Sequence, residues 1–425
     1  MTTPARTLVA VAVLAVAIAV AFAAGGELLY RATLRDTQTH LYPASRAVVA
    51  WATRWPRDDA SPLARSALAS TGVAVGPELA GDTLLAIGAG RLHALDPLTG
   101  AQRWDVGYGD GRRVSGFQAT PSLAVLVVMR PDSATGLTAT SLVAVDVATH
   151  AVAWDRPLDA DLYPGSLLLG PAVAYVTVAD SVDGAEYQAL RERGVAVPLH
   201  PRVRAYALAD GALRWERTLP ERADAAPVER VALTLAASVV AASTATAFAP
   251  IGMAVFDAAS GRPLWQAPDG TAALGLSRAR LVTRSGTDLA LLAPASGRVV
   301  ARLPSLGARS GPAVVARDVL YQVAADHVAA VDLAAGRGLW ATALDSPHAA
   351  FGAIEGRARP PSVTDGRLYL GGRDEDVYSI DVRTGAVQWK FPAAVAAGGV
   401  NAPPLRYGGL VLVQDDQLTA YRAPS

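Results

Sequence analysis

Six histidines are the side chains of this chain best suited to bind a metal or to move a proton near neutral pH. They are spread over the whole sequence: His40, His93, His150, His200, His327 and His348. None of them forms the closely spaced pairs of a zinc site, and the chain has no cysteine to supply a thiolate ligand. We therefore predict structural roles for the histidines and no metal site.

Charged side chains cluster in three other places. The acidic stretches 374–376 and 415–416 are expected in hairpin turns, where water or calcium would suit the carboxylates, and we favour water. Arg112 and Arg113 could meet an anionic ligand, but a solvated or salt-bridged pair is the favoured interpretation. The sequence contains neither a Gly-x-Ser-x-Gly elbow nor a phosphate-binding P-loop. It therefore predicts no catalytic, cofactor-binding or metal-binding residues.

Composition limits the class of partner. The 425 residues carry 38 basic and 38 acidic side chains, so the formal net charge is zero. A nucleic-acid binder needs a basic face to neutralise phosphates, and we expect no nucleic-acid partner. An apolar content of 51% is ample for a large core. The absence of cysteine excludes disulfides and bacterial lipoprotein anchoring.

The first residues read as a membrane segment that precedes the fold. Residues 8–24 contain no charged side chain, and with their neighbours they approach the roughly 20 residues that span a bilayer. We predict a short cytoplasmic tail (1–6), a transmembrane signal anchor (7–26) and a linker (27–46). The alternative is a signal peptide cleaved near residues 21–23, which would release a secreted protein. Both place the remainder outside the cytoplasm.

A repeat occupies the rest of the chain. The segment VYSIDVRTGAVQWKF (377–391) recurs from residues 92, 142, 203, 253, 289 and 328. Glycine holds the turn in six copies and His150 in the seventh. The residue four positions later is a tryptophan in six copies: Trp104, Trp154, Trp215, Trp265, Trp340 and Trp389. Each copy predicts a strand, a tight turn and a second strand.

Each repeat position has a physical role. The glycine supplies the positive φ of the turn, and histidine tolerates this conformation at some cost. An aspartate four residues before the glycine slot is suited to accept hydrogen bonds from the turn amides. The tryptophan is predicted to pack between adjacent sheets, with its N–H bound to a backbone carbonyl.

Further strand-like sequence precedes each copy, so one unit contains four short strands, as in a propeller blade. Seven units are complete, and the last one, 403–422, has only three strands. The segment 47–55 (AVVAWATRW) carries Trp51 in the repeat position and is predicted to supply the missing strand. The sequence therefore predicts an all-β, eight-bladed propeller of four-stranded antiparallel blades over 47–425, with a seven-bladed ring as the alternative.

The pattern L-x-A-L-D-x-x-T-G-x-x-x-W resembles the repeat of the PQQ-like propeller family, which includes quinoprotein alcohol dehydrogenases, BamB-like assembly lipoproteins and sensor propellers. The resemblance covers 47–425. For a dehydrogenase it implies a cofactor stacked on a vicinal cysteine disulfide, calcium ligands and an aspartate base. We could not map these residues here, and cysteine is lacking. WD40 repeats are a weaker match, because only Trp104 and Trp154 are followed by aspartate.

These observations favour a noncatalytic scaffold or ligand-recognition module in the bacterial cell envelope. Its partner would be another envelope protein or an extracellular ligand, and no cofactor is expected. A PQQ-dependent dehydrogenase and a ligand-sensing propeller are the alternatives. Candidate recognition segments are the loops 108–117, 345–361 and 393–401, and an insertion at 179–202 in which AEYQALRER could form a helix.

Overall fold

The structure is a computed structural model. It describes residues 48–422 apart from 54–76, 89, 110–111, 132–137, 160–161, 181–199, 221–227, 229, 246–249, 305–312, 325–326, 345–360, 372–375, 393–404 and 415–417. The predicted tail (1–6), membrane segment (7–26) and linker (27–46) lie outside the described residues. Among those described, we find no apolar helix of bilayer-spanning length.

The described residues form 32 strands in eight four-stranded antiparallel sheets, which we call blades 1 to 8. From the innermost strand outward, blade 1 contains β2 (Glu78–Ala80), β3 (Thr83–Gly88), β4 (Arg91–Leu95) and β5 (Gln102–Gly107), and blade 2 contains β6 (Arg113–Ala119), β7 (Leu123–Pro131), β8 (Thr138–Asp146) and β9 (Ala151–Pro157). Blade 3 contains β10 (Leu162–Leu169), β11 (Val173–Asp180), β12 (Arg202–Ala207) and β13 (Leu213–Thr218), and blade 4 contains β14 (Arg230–Ala236), β15 (Val239–Ala245), β16 (Pro250–Asp257) and β17 (Pro263–Gln266). In the same order, blade 5 contains β18 (Thr271–Ser277), β19 (Arg280–Ser285), β20 (Asp288–Leu292) and β21 (Val299–Leu303), and blade 6 contains β22 (Ala313–Ala316), β23 (Val319–Val323), β24 (His327–Asp332) and β25 (Arg337–Ala343). Blade 7 contains β26 (Ser362–Thr364), β27 (Arg367–Gly371), β28 (Asp376–Asp381) and β29 (Val387–Pro392), and blade 8 contains β30 (Leu405–Tyr407), β31 (Leu410–Gln414), β32 (Leu418–Arg422) and β1 (Val48–Thr53).

The innermost strands of successive blades contact one another, as in a β-propeller. Blade 8 is completed from the other end of the described chain. Strand β1 pairs antiparallel with β32, from Val48 opposite Arg422 to Thr53 opposite Leu418. Apolar residues of blade 8 then pack against blade 1, closing the ring. The predicted ring closure by 47–55 is confirmed, and the seven-bladed alternative is wrong.

The core lies between blades, because each sheet buries both of its faces. In blade 2, Leu126 faces blade 1, whereas its neighbours Val125 and Val127 face blade 3. The side chains of a strand point alternately to opposite faces, so a strand buried on both faces needs a continuous apolar run. The sequence LAVLVVM in β7 has that composition. The same arrangement continues at the seam between blades 8 and 1, where Leu84 packs with Leu412.

In four blades a tryptophan docks the outer strand onto the turn of the next blade. Trp215 of blade 3 donates its indole N–H to the Ala258 carbonyl of blade 4 at 3.1 Å, and its ring covers Gly261. Trp154, Trp265 and Trp340 bind a carbonyl of the next blade in the same way. The predicted packing role and the predicted hydrogen bond are confirmed for these four tryptophans.

Other junctions depart from this pattern. His150 replaces the turn glycine with a φ of 56°. Its ring stacks on that of Trp104, with 4.7 Å between the ring centroids and an angle of 21° between the ring planes. Ala301 replaces the tryptophan of blade 5, so the nearest contact to a Cβ placed at Gly336 would be Leu303 at 3.9 Å. At the closing seam, the buried indole N–H of Trp51 has no acceptor among the described residues.

The turn aspartates accept hydrogen bonds as predicted. Asp96 Oδ1 accepts from the backbone N–H groups of Leu98 and Thr99 at 3.0 and 2.9 Å. Hydrogen bonds from the Arg103 guanidinium, which has the largest effect, and from the Thr99 amide lower the pKa of Asp96 from 3.8 to about 2. Turn hydrogen bonds likewise lower the pKa of four equivalent residues: Asp146, Asp257, Asp332 and Asp381.

These depressed pKa values predict acid sensitivity. As pH falls from 3.8 toward about 2, the unfolded state binds protons first, so the stabilisation present at higher pH is lost across this window. We expect Asp96→Asn, which keeps an acceptor oxygen but cannot titrate, to flatten the dependence of unfolding free energy on pH between pH 4 and 2. Denaturant titrations at several pH values measure this. Parallel pH profiles for the two proteins would contradict it.

Candidate functional site

The strand order separates two ends of the ring. We call the end that contains the turns at Gly100, Gly211 and their equivalents the turn end. Because strands alternate in direction, the second-to-third strand loops and the blade-to-blade connections lie at the opposite end, which we call the loop end. The described residues that flank the candidate recognition segments lie at the loop end. Segments 181–199, 345–360 and 393–404 are outside the described residues.

The first loop-end contact involves the arginine pair. Arg112 Nη1 lies 2.6 Å from Asp155 Oδ2 on β9, so the connection into blade 2 is tied to that blade's outer strand. The preceding Gly109 has a φ of 113° and leaves space for the Arg112 side chain, which would approach a Cβ there to 2.9 Å. The prediction of a solvated or salt-bridged role is confirmed for Arg112, which is salt-bridged. Arg113 begins β6, and its side chain lies outside the described residues.

A second cluster surrounds Arg204 on β12, which is 8% exposed. Its guanidinium bonds to Asp159, at 2.5 Å, and to Glu216 on β13. Burial acts to lower the pKa of Arg204, but the hydrogen bonds to the two carboxylates outweigh it and raise the pKa. Asp159 belongs to the connection from blade 2, so a charge-assisted contact joins the two blades.

A third cluster holds the base of the insertion. Asp180, the last residue of β11, accepts from His200 Nδ1 at 2.6 Å and from Arg202 Nη2 at 2.5 Å. His200 has a φ of 40°, which is unusual for a residue with a side chain. These three residues, which we call the insertion clamp, bring the two ends of segment 181–199 together. The predicted helix in that segment lies outside the described residues.

The other predicted roles can be assigned in part. Buried His93 lies 3.0 Å from the Gly88 carbonyl through Nε2, so its role is structural, as predicted. His40 and His348 lie outside the described residues, as do the stretches 374–375 and 415–416. The described part of the chain contains no group of three or more His, Asp or Glu side chains that could hold a metal.

Glu78 on the innermost strand β2 was not anticipated. Burial raises its pKa to about 7. The folded state therefore favours the protonated carboxyl, and the contribution of this group to stability falls as pH rises from 4.5 through 7. A perturbed pKa marks a candidate proton-exchange group but does not by itself make a catalytic site. The sequence offered no signal for it, since a carboxylate within a strand usually faces water.

The ring of eight four-stranded blades, with tryptophans docked over glycine turns, defines a PQQ-like β-propeller. The chain belongs to the family described as outer membrane protein assembly factor BamB, whose sequence profile matches residues 11–190, 178–283 and 285–424. The family resemblance seen in the repeats is thereby confirmed. Comparison with curated protein sequences gave no match.

Solved structures show the same fold at low identity. BamB from Moraxella catarrhalis has a TM-score of 0.55 and 14% identity, over 89% of this chain and 100% of that one. Quinohemoprotein alcohol dehydrogenase from Pseudomonas putida HK5 has a TM-score of 0.56 and 12% identity, over 91% and 78% of the two chains. The computationally designed protein Ika8 gives 0.57 and 12%, over 82% and 96%. These likenesses establish the fold and leave the activity open.

The dehydrogenase relatives raise the question of a quinone cofactor. The family resemblance implies a cysteine pair under the quinone and a calcium ion held by acidic and amide side chains. The chain has no cysteine. The described residues bring no three carboxylate or histidine side chains into one cluster, and several of their loop-end carboxylates are ion-paired, with Arg112, Arg202 and Arg204. The described side chains therefore do not fit such a cofactor, and no chemical step is derived through it.

Proposed function

We propose that this chain is a noncatalytic, extracytoplasmic scaffold that binds another protein of the bacterial cell envelope and is tethered to the membrane by residues 7–26. The observation that carries the proposal is the insertion clamp in a chain of the BamB family. A 19-residue insertion (181–199) leaves blade 3 at the loop end, and Asp180, His200 and Arg202 hold its base. A segment presented from a rigid base is a common means of protein recognition.

The arrangement explains how the insertion could bind without destabilising the ring. Because the clamp joins residues on either side of the segment, the β11–β12 pairing continues up to Val178 opposite Arg202. The described pairs of this ladder therefore do not involve residues 181–199. Arg204 and Asp159 lie on the same side and connect blades 2 and 3, so the support below the insertion includes two blades.

Replacing residues 181–199 by a short Gly-Ser linker, with the clamp retained, tests this proposal. We expect the unfolding midpoint to stay the same, because no described ladder bond is removed, and the native partner to be lost from crosslinked complexes in intact cells. The test protein carries a photo-crosslinking residue at exposed Thr218, which lies opposite Arg202 at the loop end and outside the clamp, and a matched control carries it at exposed Thr149 at the turn end. A partner captured equally from both positions, or retained after the deletion, would contradict the proposal.

A PQQ-dependent dehydrogenase is the second candidate, favoured only by the likeness to quinohemoprotein alcohol dehydrogenases. It predicts that the purified chain, mixed with PQQ and calcium, binds the quinone and reduces an artificial acceptor with an alcohol or sugar. We expect no binding in an absorbance titration. Saturable binding with acceptor reduction would replace the scaffold proposal with the enzymatic one.

A further inference from the structure

The closing strand β1 lacks the features that protect the other outer strands. Outer strands have one unpaired edge, and proteins commonly shield such edges with charged residues or proline. Seven of the eight outer strands contain one, as in Arg103, Asp155, Glu216, Pro263, Arg302, Arg337 and Lys390. Strand β1, with the sequence VVAWAT, contains neither. It is therefore the outer strand best able to pair with another chain.

Exposed apolar side chains surround this edge. Val48 and Val49 on β1 are 54% and 53% exposed, and Leu98 in the facing turn of blade 1 is 54% exposed. These are the highest values among the large apolar side chains of the described residues. Leu98 lies two residues before Gly100, over which the Trp51 ring is docked, so the exposed groups belong to one seam. Grouped apolar exposure of this kind commonly marks an interaction site.

A pocket of about 600 Å³ opens at the same seam. Its lining includes Trp51, Leu98, Thr99, Gly409, Leu410 and Arg422. In blades 1 to 7 a turn joins the third strand to the outer strand at this corner, but in blade 8 the two strands come from distant parts of the chain. Among the described residues no such turn covers the corner, and the pocket has the volume typical of ligand sites.

Charge and hydrogen bonding indicate what the pocket accepts. Arg422 is the charged residue of the lining; it is exposed, and no salt bridge to it occurs within the described part of the chain. The buried N–H of Trp51 in the pocket wall also has no described acceptor. The seam therefore favours a ligand that is apolar along its length and carries a carboxylate near Arg422.

We propose that β1 and this pocket form a docking edge for an extended segment of a partner protein. The segment adds a strand to the free edge of β1, places apolar side chains against Val48, Val49 and the pocket, and directs an acidic side chain to Arg422. Main-chain hydrogen bonds supply affinity in this mode, and alternate side chains supply specificity. The docking edge does not depend on the insertion at 181–199, so either proposal can fail alone.

The experiment uses random heptapeptides displayed on phage and the full-length chain in mild detergent as the target. We expect the selected peptides to alternate apolar residues and to share one acidic residue. Val49→Lys places a charge on the docking edge and should weaken a selected peptide by about tenfold or more. The matched Val152→Lys, at the same position of β9 and 43% exposed, should change affinity less than about twofold.

Two further measurements define the binding mode. Arg422→Glu should weaken the acidic peptide by about tenfold and strengthen its Lys-substituted counterpart. If Val49→Lys alters the unfolding midpoint, Ala52→Lys, also at an exposed position of β1, replaces it. No enriched sequence, or equal binding to Val49→Lys and Val152→Lys, would overturn the proposal. A dimer in light scattering that Val49→Lys abolishes would assign the edge to a second copy instead, and peptide binding seen only after deleting 27–46 would assign it to this chain's linker.

Discussion

Gly261→Ala is expected to cost about 3–5 kcal/mol of unfolding free energy, through a backbone and a packing contribution. Gly261 has a φ of 68°, and an L-residue pays about 1 kcal/mol or more for that conformation. The added Cβ would also lie 2.5 Å from Trp215 Cδ2. The indole cannot easily retreat, because Trp215 is 6% exposed and contacts Tyr175 and Phe256.

Gly336→Ala is the matched control. Gly336 occupies the same turn position with a φ of 64°, but Ala301 replaces the tryptophan that would cover it, and the nearest atom is 3.9 Å from the added Cβ. Only the backbone cost of about 1 kcal/mol should remain. Equilibrium denaturation of both variants measures the difference, which we expect to be at least about 2 kcal/mol. Equal losses of unfolding free energy would show that the docked tryptophan is not what restricts this turn position to glycine.

Loss of the closing strand is the second large effect. A chain that begins at residue 77 lacks β1, so the edge of β32 and the apolar residues beside it, including Leu418 and Ala420, become accessible. Gly100 also loses the ring of Trp51. We expect this truncated chain to aggregate, because an uncovered apolar edge pairs with other chains.

A synthetic peptide covering residues 44–57 should restore the ring. We expect it to keep the truncated chain monomeric and to raise its melting temperature. The same peptide with Trp51→Ala should bind about 100-fold more weakly or worse, because truncating a packed tryptophan costs about 3 kcal/mol or more. A Val49→Ala peptide is the control, since that side chain is 53% exposed. A truncated chain that is as stable as the full chain would show that the ring does not need β1.

Both predictions concern the junctions between blades, where the repeated tryptophan of one blade contacts the turn glycine of the next. A propeller has no central core, and each blade buries its faces only against its two neighbours. The apolar clusters on either side of blade 2 illustrate this, with Leu126 in one and Val125 in the other. A change at one turn therefore acts first on a single junction. Blade 8 is the blade whose third and outer strands, β32 and β1, come from distant parts of the chain and are joined by no turn.

Most of the fold could be predicted because its determinants are local. Positive φ at Gly385, hydrogen bonds from turn amides to Asp381 and alternation in the strands all depend on residues a few positions apart. The closing strand could be predicted because Trp51 matches a position defined by six other tryptophans. The candidate site could be predicted only in part. The insertion and the pairing of Arg112 were expected, but the residues that support them were not.

The sequence by itself determined the repeat, the number of blades and the segment that closes the ring, because turn chemistry and the period of two are properties of neighbouring residues. Only the tertiary structure decided which side chains meet across blades. Arg204 meets Asp159 from 45 residues away, His150 stacks on Trp104 in place of a glycine contact, and Trp51 keeps an N–H without a described acceptor beside an open pocket. These contacts depend on how the blades are arranged around the ring, and a repeat that is nearly identical in every blade does not record that arrangement.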